Sequence, residues 1–403
     1  MAATPDPARH SDREHDLVLL GATGFTGRLT AEYLARNAPA GLRWALAGRN
    51  PEKLAGVRDD LAAIDASLAD LPLVTADSSD ADSLAALAGS ARVVISTVGP
   101  YLEHGEPLVA ACAAAGTDYV DLTGEPEFVD RMYVAHHATA EASGARIVHA
   151  CGFDSIPHDL GAWYTVQQLK ASGPVTVRGV VRASGTFSGG TFHSAMGATS
   201  RMKQTREAAQ LRRDLEKHPE GRRSRPVAGK PHRDSVLGYY LLPLPTLDPQ
   251  VVARSGAALE SYGPDFRYSH YIGTKTLRYA LGGMAGLVGI GVAAQVAPVR
   301  NLLKSRIKQG EGPSPARREK SWFTVDFVGE GDGRTIRTRV SGGDPGYGET
   351  SKMLAESALC LLHDDNPTTA GCVTTAQAMG ENLTARLLAA GIRFETVGAQ
   401  TEG

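Results

Sequence analysis

The chain has 403 residues, with 42 Lys and Arg against 44 Asp and Glu and a formal net charge of −2. That balance removes the electrostatic footprint of a nucleic-acid binder, and 42% apolar with 21% charged residues excludes disorder as the main state. The four cysteines, Cys112, Cys151, Cys360 and Cys372, form no CxxC pair and no metal-ligand spacing, which points to a reduced, cytoplasmic chain.

Residues 1–15 are polar and lack the apolar stretch of a secretory signal, so a disordered tail is expected there. From Asp16 the pattern changes. DLVLL (Asp16–Leu20) is an apolar run suited to a parallel strand buried on both faces. It runs into GATGFTG (Gly21–Gly27), and then RLTAEYLARN places Leu29, Tyr33 and Leu34 at helical spacing. Further strands are expected at Trp44–Ala47, Leu71–Asp77, Arg92–Thr97, Asp118–Leu122 and Arg146–Ala150, with helices between them over 51–64, 80–88, 108–115 and 126–143. The alternation predicts an α/β fold, a Rossmann-type doubly wound parallel sheet over 16–150.

In that fold ligands sit at the carboxyl ends of the strands, where strand order reverses. Gly21 allows the tight turn, Gly24 the approach of backbone to a pyrophosphate, and Gly27 close packing of helix on strand. Thr23, Phe25 and Thr26 complete the turn, and the helix start offers free N–H groups and a positive dipole end to phosphates. The second strand ends in ALAGRN, with no acidic residue for a ribose 2′-OH. Gly48, Arg49 and Asn50 stand there instead, with Lys53 one turn on. Arg49 suits a 2′-phosphate, which favours NADP over NAD; the alternative is a solvated loop arginine. Asp77, after the third strand, is placed to reach an adenine amino group. STVGPY puts Thr97, Val98, Gly99 and Pro100 where the nicotinamide-side ribose and phosphate pass, and Tyr101 either faces the ring or caps the next helix.

CGFDSIPHDLG (Cys151–Gly161) leaves the sixth strand. Asp154 and Ser155 are N-cap types for a helix from about Ile156; the other reading puts Asp154 or His158 in the substrate cleft, with His158 in a range suited to proton donation. His149, His158 and His193 are too scattered for a ligand set, so no metal is expected. A second α/β domain over 151–345 is expected to hold a mixed or antiparallel sheet that covers the cofactor crevice. Its strands are Val175–Ser184 and a hairpin around Gly331-Asp332-Gly333. FSGGT (Phe187–Thr191) is a helix entry or an anion contact. The stretch 201–233 is a solvated, mobile loop or a docking surface for an acidic carrier. Residues 279–299 carry no charge. They are a buried helix, a lipid-surface or acyl-chain contact, or a span interrupted by glycines, Gln295 and Pro298. Residues 346–403 hold GETSKMLAESALCLL, a helix returning to the first domain, with Tyr347 before it able to reach the cleft. A final helix, TAQAMGENLTARLLAAG, and a short strand, RFETV, end the chain.

GATGFTG, ALAGRN, STVGPY, YVDLTGE (Tyr119–Glu125) and HACGFDSIPHDLG (His149–Gly161) occur in this order, followed by FSGGT and GGDPGYGETSKMLAESAL (Gly342–Leu359). Together they resemble the saccharopine dehydrogenase-like oxidoreductases, and more narrowly the bacterial trans-acting enoyl reductases of long-chain lipid and polyketide pathways. The resemblance covers nearly the whole chain after the tail. It implies an NADP-binding Rossmann domain, a second α/β domain and NADPH-dependent reduction of a lipid- or polyketide-type unsaturated acyl acceptor. Tyr101, Asp154 and His158 are the candidate polarising or proton-donating groups. Imine reduction of the saccharopine type is the other redox reading, and a non-catalytic NADP-binding regulator or lipid-surface scaffold is the competing class. The partners to expect are a small-molecule or carrier-linked acyl substrate, with a homodimer and peripheral lipid contact through 279–299 left open.

Overall fold

The computed structural model describes residues 10–184, 201–217, 219–279, 282, 286, 289 and 313–400. FSGGT, His193 and most of 279–299 lie outside them. Six strands, β1 (His15–Leu20), β2 (Trp44–Gly48), β3 (Leu73–Thr75), β4 (Ala91–Ser96), β5 (Asp118–Asp121) and β6 (Arg146–Val148), alternate with helices. These are α1 (Phe25–Asn37), α2 (Pro51–Ala62), α3 (Ala81–Ser90), α4 (Tyr101–His104), α5 (Glu106–Ala115) and α6 (Pro126–Ser143). The chain continues through α7 (Ile156–Leu169), β7 (Val175–Ser184), α8 (Met202–Leu215), β8 (Arg223–Pro226), β9 (His232–Arg233) and β10 (Tyr240–Pro243). Then follow α9 (Asp248–Ala258), β11 (Asp265–Thr274), β12 (Trp322–Gly331), β13 (Arg334–Gly342), α10 (Gly348–His363), β14 (Gly371–Val373), α11 (Thr375–Ala378), α12 (Gly380–Ala389) and β15 (Arg393–Gln400).

The first sheet runs β14-β6-β5-β4-β1-β2-β3, parallel at every pairing. All six residues of β1 are buried, as a strand covered by helices on both faces requires. Strand order reverses between β1 and β4, and the crevice opens there, at the carboxyl ends. The second sheet runs β15-β13-β12-β7-β11-β10-β9, with β8 beside β11. It is mixed: β11 is parallel to β7 and β8, and the other pairs are antiparallel.

One apolar core joins the two sheets, from Leu17 and Ile95 through Ile156 and Leu160 of α7 to Phe327 and Val340. Gly161 makes that contact close: a Cβ on it would lie 2.3 Å from the Phe327 ring. The last segment serves both sheets, with β14 added beside β6 and β15 beside β13.

Several local expectations change. The tail is anchored at its end, where the Arg13 guanidinium donates to the carbonyl of Ala115 at 2.5 Å. The stretch 201–233 is not a loop but α8, β8 and β9. Its polar sequence hides a buried contact, since Arg212 of α8 donates to Asp130 of α6 at 2.5 Å and Glu216 accepts from Arg254 at 2.7 Å. The final helix is two: a Thr374–Gln377 capping box starts the short α11, which ends at Ala378, and α12 follows from Gly380. No described helix is long and apolar enough to cross a membrane.

Candidate active site

The first part of the site is the turn after β1. Gly21 takes a φ of +91°, open to glycine without strain. A Cβ on Gly27 would sit 2.2 Å from the Gly21 carbonyl oxygen, so α1 approaches the turn as only glycine permits. Gly24 is the N-cap of α1 and supplies no side chain to it, so no side chain covers the first-turn N–H groups. Thr97, leaving β4, donates its hydroxyl to the Leu20 and Gly21 carbonyls, 3.2 Å from each. Thr23 and Gly24 are exposed, and Phe25 and Thr26 half-buried. This is the geometry that a helix start offers to a phosphate.

At the end of β2, Gly48 is buried and Arg49, Asn50 and Lys53 are exposed. The Asn50 Oδ1 accepts from the Lys53 N–H at 2.9 Å, which makes Asn50 the cap of α2. Arg49 stands close enough to Asp77 to help hold its carboxyl below the usual range, behind the larger effect of the Ser79 N–H and hydroxyl on the same oxygen. A cationic, exposed Arg49 beside a cradle with no acidic partner at 49–50 fits a 2′-phosphate.

Val98 and Pro100 are half-buried and Gly99 is exposed. Tyr101 is buried, and its hydroxyl donates to the Ser96 carbonyl at 3.0 Å and accepts from the Leu122 N–H at 3.1 Å. Burial, with the Asp121 carboxylate nearby, pushes the phenol well up. Tyr101 thus fastens the end of β4 to the end of β5. The Glu125 carboxylate completes the fastening by accepting from the N–H groups of Tyr101 and Leu102, at 3.2 and 2.9 Å.

Asp154 lies on the loop between β6 and α7, half-buried, with its Oδ2 3.4 Å from where a Cβ on Gly124 would be. Ser155 occupies the N-cap of α7, and no side chain caps that helix start. Among the described residues Asp154 makes no side-chain hydrogen bond. Burial and the Asp248 carboxylate lift its carboxyl to about 7, against the opposite pull of His158. It is thus half protonated near neutrality, at the carboxyl ends of β5 and β6.

Behind it lies a group that no spacing in the sequence announces. His158 of α7, Asp248 at the start of α9 and His270 of β11 are 2%, 3% and 4% exposed. The His158 Nδ1 is 2.9 Å from one Asp248 oxygen and the His270 Nε2 is 3.6 Å from the other. The rings stand 4.9 Å apart at 80°. Burial pushes His270 down to about 3, so it is neutral. Burial raises Asp248, but His158, His270 and the Thr246 hydroxyl outweigh it and keep the carboxyl below its ordinary range. The signal for His270 was the alternation of DFRYSHYIGT, which makes β11 a strand with that histidine on a buried position.

The start of α10 closes the site. Tyr347 packs edge-on against Phe25, ring centroids 4.8 Å apart. The Thr350 hydroxyl accepts from the Phe153 N–H, next to Asp154.

A parallel Rossmann-type sheet with an open glycine turn at the start of α1 is the framework of an NADP-dependent oxidoreductase. The sequence profile of the saccharopine dehydrogenase NADP binding domain matches residues 17–148. A Mycobacterium tuberculosis protein that carries the provisional name trans-acting enoyl reductase is 40% identical over 98% of this chain and 99% of its own length. The trans-acting enoyl reductase of Mycobacterium bovis is 36% identical over 96% and 98%. Among solved structures, apo saccharopine dehydrogenase (L-Glu forming) from Saccharomyces cerevisiae shares the fold, with a TM-score of 0.53 and 12% identity over 95% of this chain and 100% of that one. The chain belongs to the saccharopine dehydrogenase-like oxidoreductases, in the family of the trans-acting enoyl reductases.

Proposed function

We propose that this oxidoreductase reduces the carbon–carbon double bond of a lipid- or polyketide-type enoyl thioester, presented free or on a carrier. The observation that carries the reading is the Asp154 carboxyl, half-buried, lifted to about 7 and without a hydrogen-bond partner among the described residues. The names of the relatives support the acceptor class.

Gly21, Thr23, Gly24, Phe25, Thr26 and Gly27 form the cradle for the pyrophosphate, Arg49 with Lys53 holds the 2′-phosphate, and Thr97 to Pro100 line the nicotinamide side. The bound cofactor supplies the hydride, which goes to the β-carbon. Asp154 holds the proton for the α-carbon, and an acid near neutrality suits that task. Tyr101 and Glu125 fix the strand ends on which the acceptor rests. His158 keeps the Asp154 carboxyl from rising further.

The test is NADPH consumption with a ladder of trans-2-enoyl thioesters, the products identified by mass spectrometry. Saturable turnover to the saturated thioester is expected. Tight NADPH binding with turnover only of a 2-oxo acid and an amine would replace the reading with imine reduction. Binding without turnover of any acceptor would leave the regulator.

A further inference from the structure

We propose that His158, Asp248 and His270 form a binding site for a divalent transition ion of the zinc type. The three donors come from separate elements, α7, the start of α9 and β11, and all are more than nine-tenths buried. Their ligand atoms lie within 4.8 Å of one another.

The contacts are close yet are not hydrogen bonds. Both ring nitrogens of His158, one oxygen of Asp248 and the Nε2 of His270 have no hydrogen-bond partner among the described residues. Buried polar groups of this kind are ordinarily paired, with protein, water or an ion. Zinc bonds of about 2.0–2.1 Å to imidazole and carboxylate set tetrahedral neighbours roughly 3.3–3.4 Å apart. The His158 Nδ1 is 2.9 Å from one Asp248 oxygen and the His270 Nε2 is 3.6 Å from the other, distances close to that spacing.

A supporting layer holds the donors in place. The second ring nitrogen of His270 is 3.0 Å from the Tyr268 hydroxyl, which leaves Nε2 facing the cluster. The Thr246 hydroxyl donates to Asp248. Two imidazoles and one carboxylate select zinc or its neighbours over calcium and magnesium, which prefer all-oxygen shells. Three protein ligands leave a coordination position for water or an acceptor oxygen. Asp154 is within electrostatic reach of both His158 and Asp248. An ion here would therefore polarise a thioester carbonyl beside the proton donor; that clause rests on the enoyl reductase reading, while binding itself does not.

The experiment uses the full chain without an affinity tag, stripped with a chelator and titrated separately with zinc and cobalt(II). Bound metal is counted by plasma mass spectrometry, and the cobalt absorption bands report nitrogen–oxygen coordination. About one ion per chain is expected in the unmodified protein. His270→Ala and Asp248→Asn should each lower it at least about tenfold, and Asp154→Asn should keep it. NADPH binding serves as the check of folding. If the variants do not fold, the unmodified chain decides alone: no stoichiometric zinc and no cobalt bands, with NADPH binding intact, overturns the proposal. Equal metal in folded His270→Ala and unmodified protein overturns it too. A chain that holds zinc but ignores every enoyl thioester would sink the functional reading and leave this one standing.

Discussion

The backbone N–H of Phe153 donates to the hydroxyl of Thr350 at 3.1 Å. Thr350 passes the contact on, donating to the Pro345 carbonyl at 2.7 Å. The next residue, Ser351, reaches the Thr26 carbonyl at 3.4 Å. The first turn of α10 thus touches both the glycine turn after β1 and the loop that carries Asp154.

Replacing Thr350→Val keeps the shape and deletes both bonds, leaving the Phe153 N–H without its acceptor. A loss of about 1–3 kcal/mol in stability is expected. The turnover number should fall several-fold while the Kd for NADPH shifts by less than about threefold, because the acid loop moves and the cradle does not. Calorimetric titration beside steady-state kinetics checks this. Equal loss of cofactor binding would break the link drawn from Thr350 to Asp154.

Arg49→Asp reverses the charge at the exposed end of β2. A carboxylate there repels a 2′-phosphate and accepts from a ribose hydroxyl. NADPH should bind about 100-fold more weakly, near 2.7 kcal/mol, while NADH is unchanged or tighter. Parallel loss of both dinucleotides would remove Arg49 from the site.

On the proposed reading, Asp154 should set a pH limb. In chelator-treated protein the donor must carry its proton, so turnover should be level at low pH and fall as pH rises through about 7. Asp154→Asn should cost about 100- to 10,000-fold in turnover and abolish the limb. Stability runs the same way. The folded carboxyl binds its proton more tightly than the unfolded one, so stability falls as pH rises from the ordinary carboxylate value of 3.8 toward 7. Asp154→Asn lifts that loss, and urea melts should show it more stable than the parent at alkaline pH by about 1–3 kcal/mol. A variant that is less stable at both ends of the range would contradict the assigned burial cost.

Gly161→Ala adds a methyl group 2.3 Å from the Phe327 ring and 2.9 Å from Val340. α7 must move off the second sheet, at a cost of about 1–3 kcal/mol or more. His158 and the loop before it move with that helix, so turnover should fall with stability. Phe327→Leu in the same chain makes room, and a double-mutant cycle should return a positive coupling of about 1 kcal/mol. Strict additivity would mean that the contact does not govern the packing.

The Rossmann half was legible because its information is local. The uniformly apolar β1, the three turn glycines and the bare ALAGRN end each occupy one short stretch, and each names its own job. The other parts depend on partners far along the chain. β14 is three residues long, too short to carry a period. Arg212 looked like a solvated charge until Asp130 met it in the interior. Tyr101 stood at the right motif, yet its hydroxyl is taken by backbone groups of two neighbouring strands. His158 stands alone in its motif, and its partners Asp248 and His270 lie about 90 and 112 residues further along the chain.

The place of β14 in the first sheet also bears on how the protein is made. Its neighbour β6 leaves the ribosome about 220 residues earlier. At roughly 5–20 residues per second, that is a wait on the order of 10–45 seconds. Through that interval Arg146–Val148 presents a bare parallel edge, the kind of surface that recruits the wrong strand. Chaperone demand during synthesis therefore falls on the nucleotide-binding half, the part of the molecule that is most regular once complete.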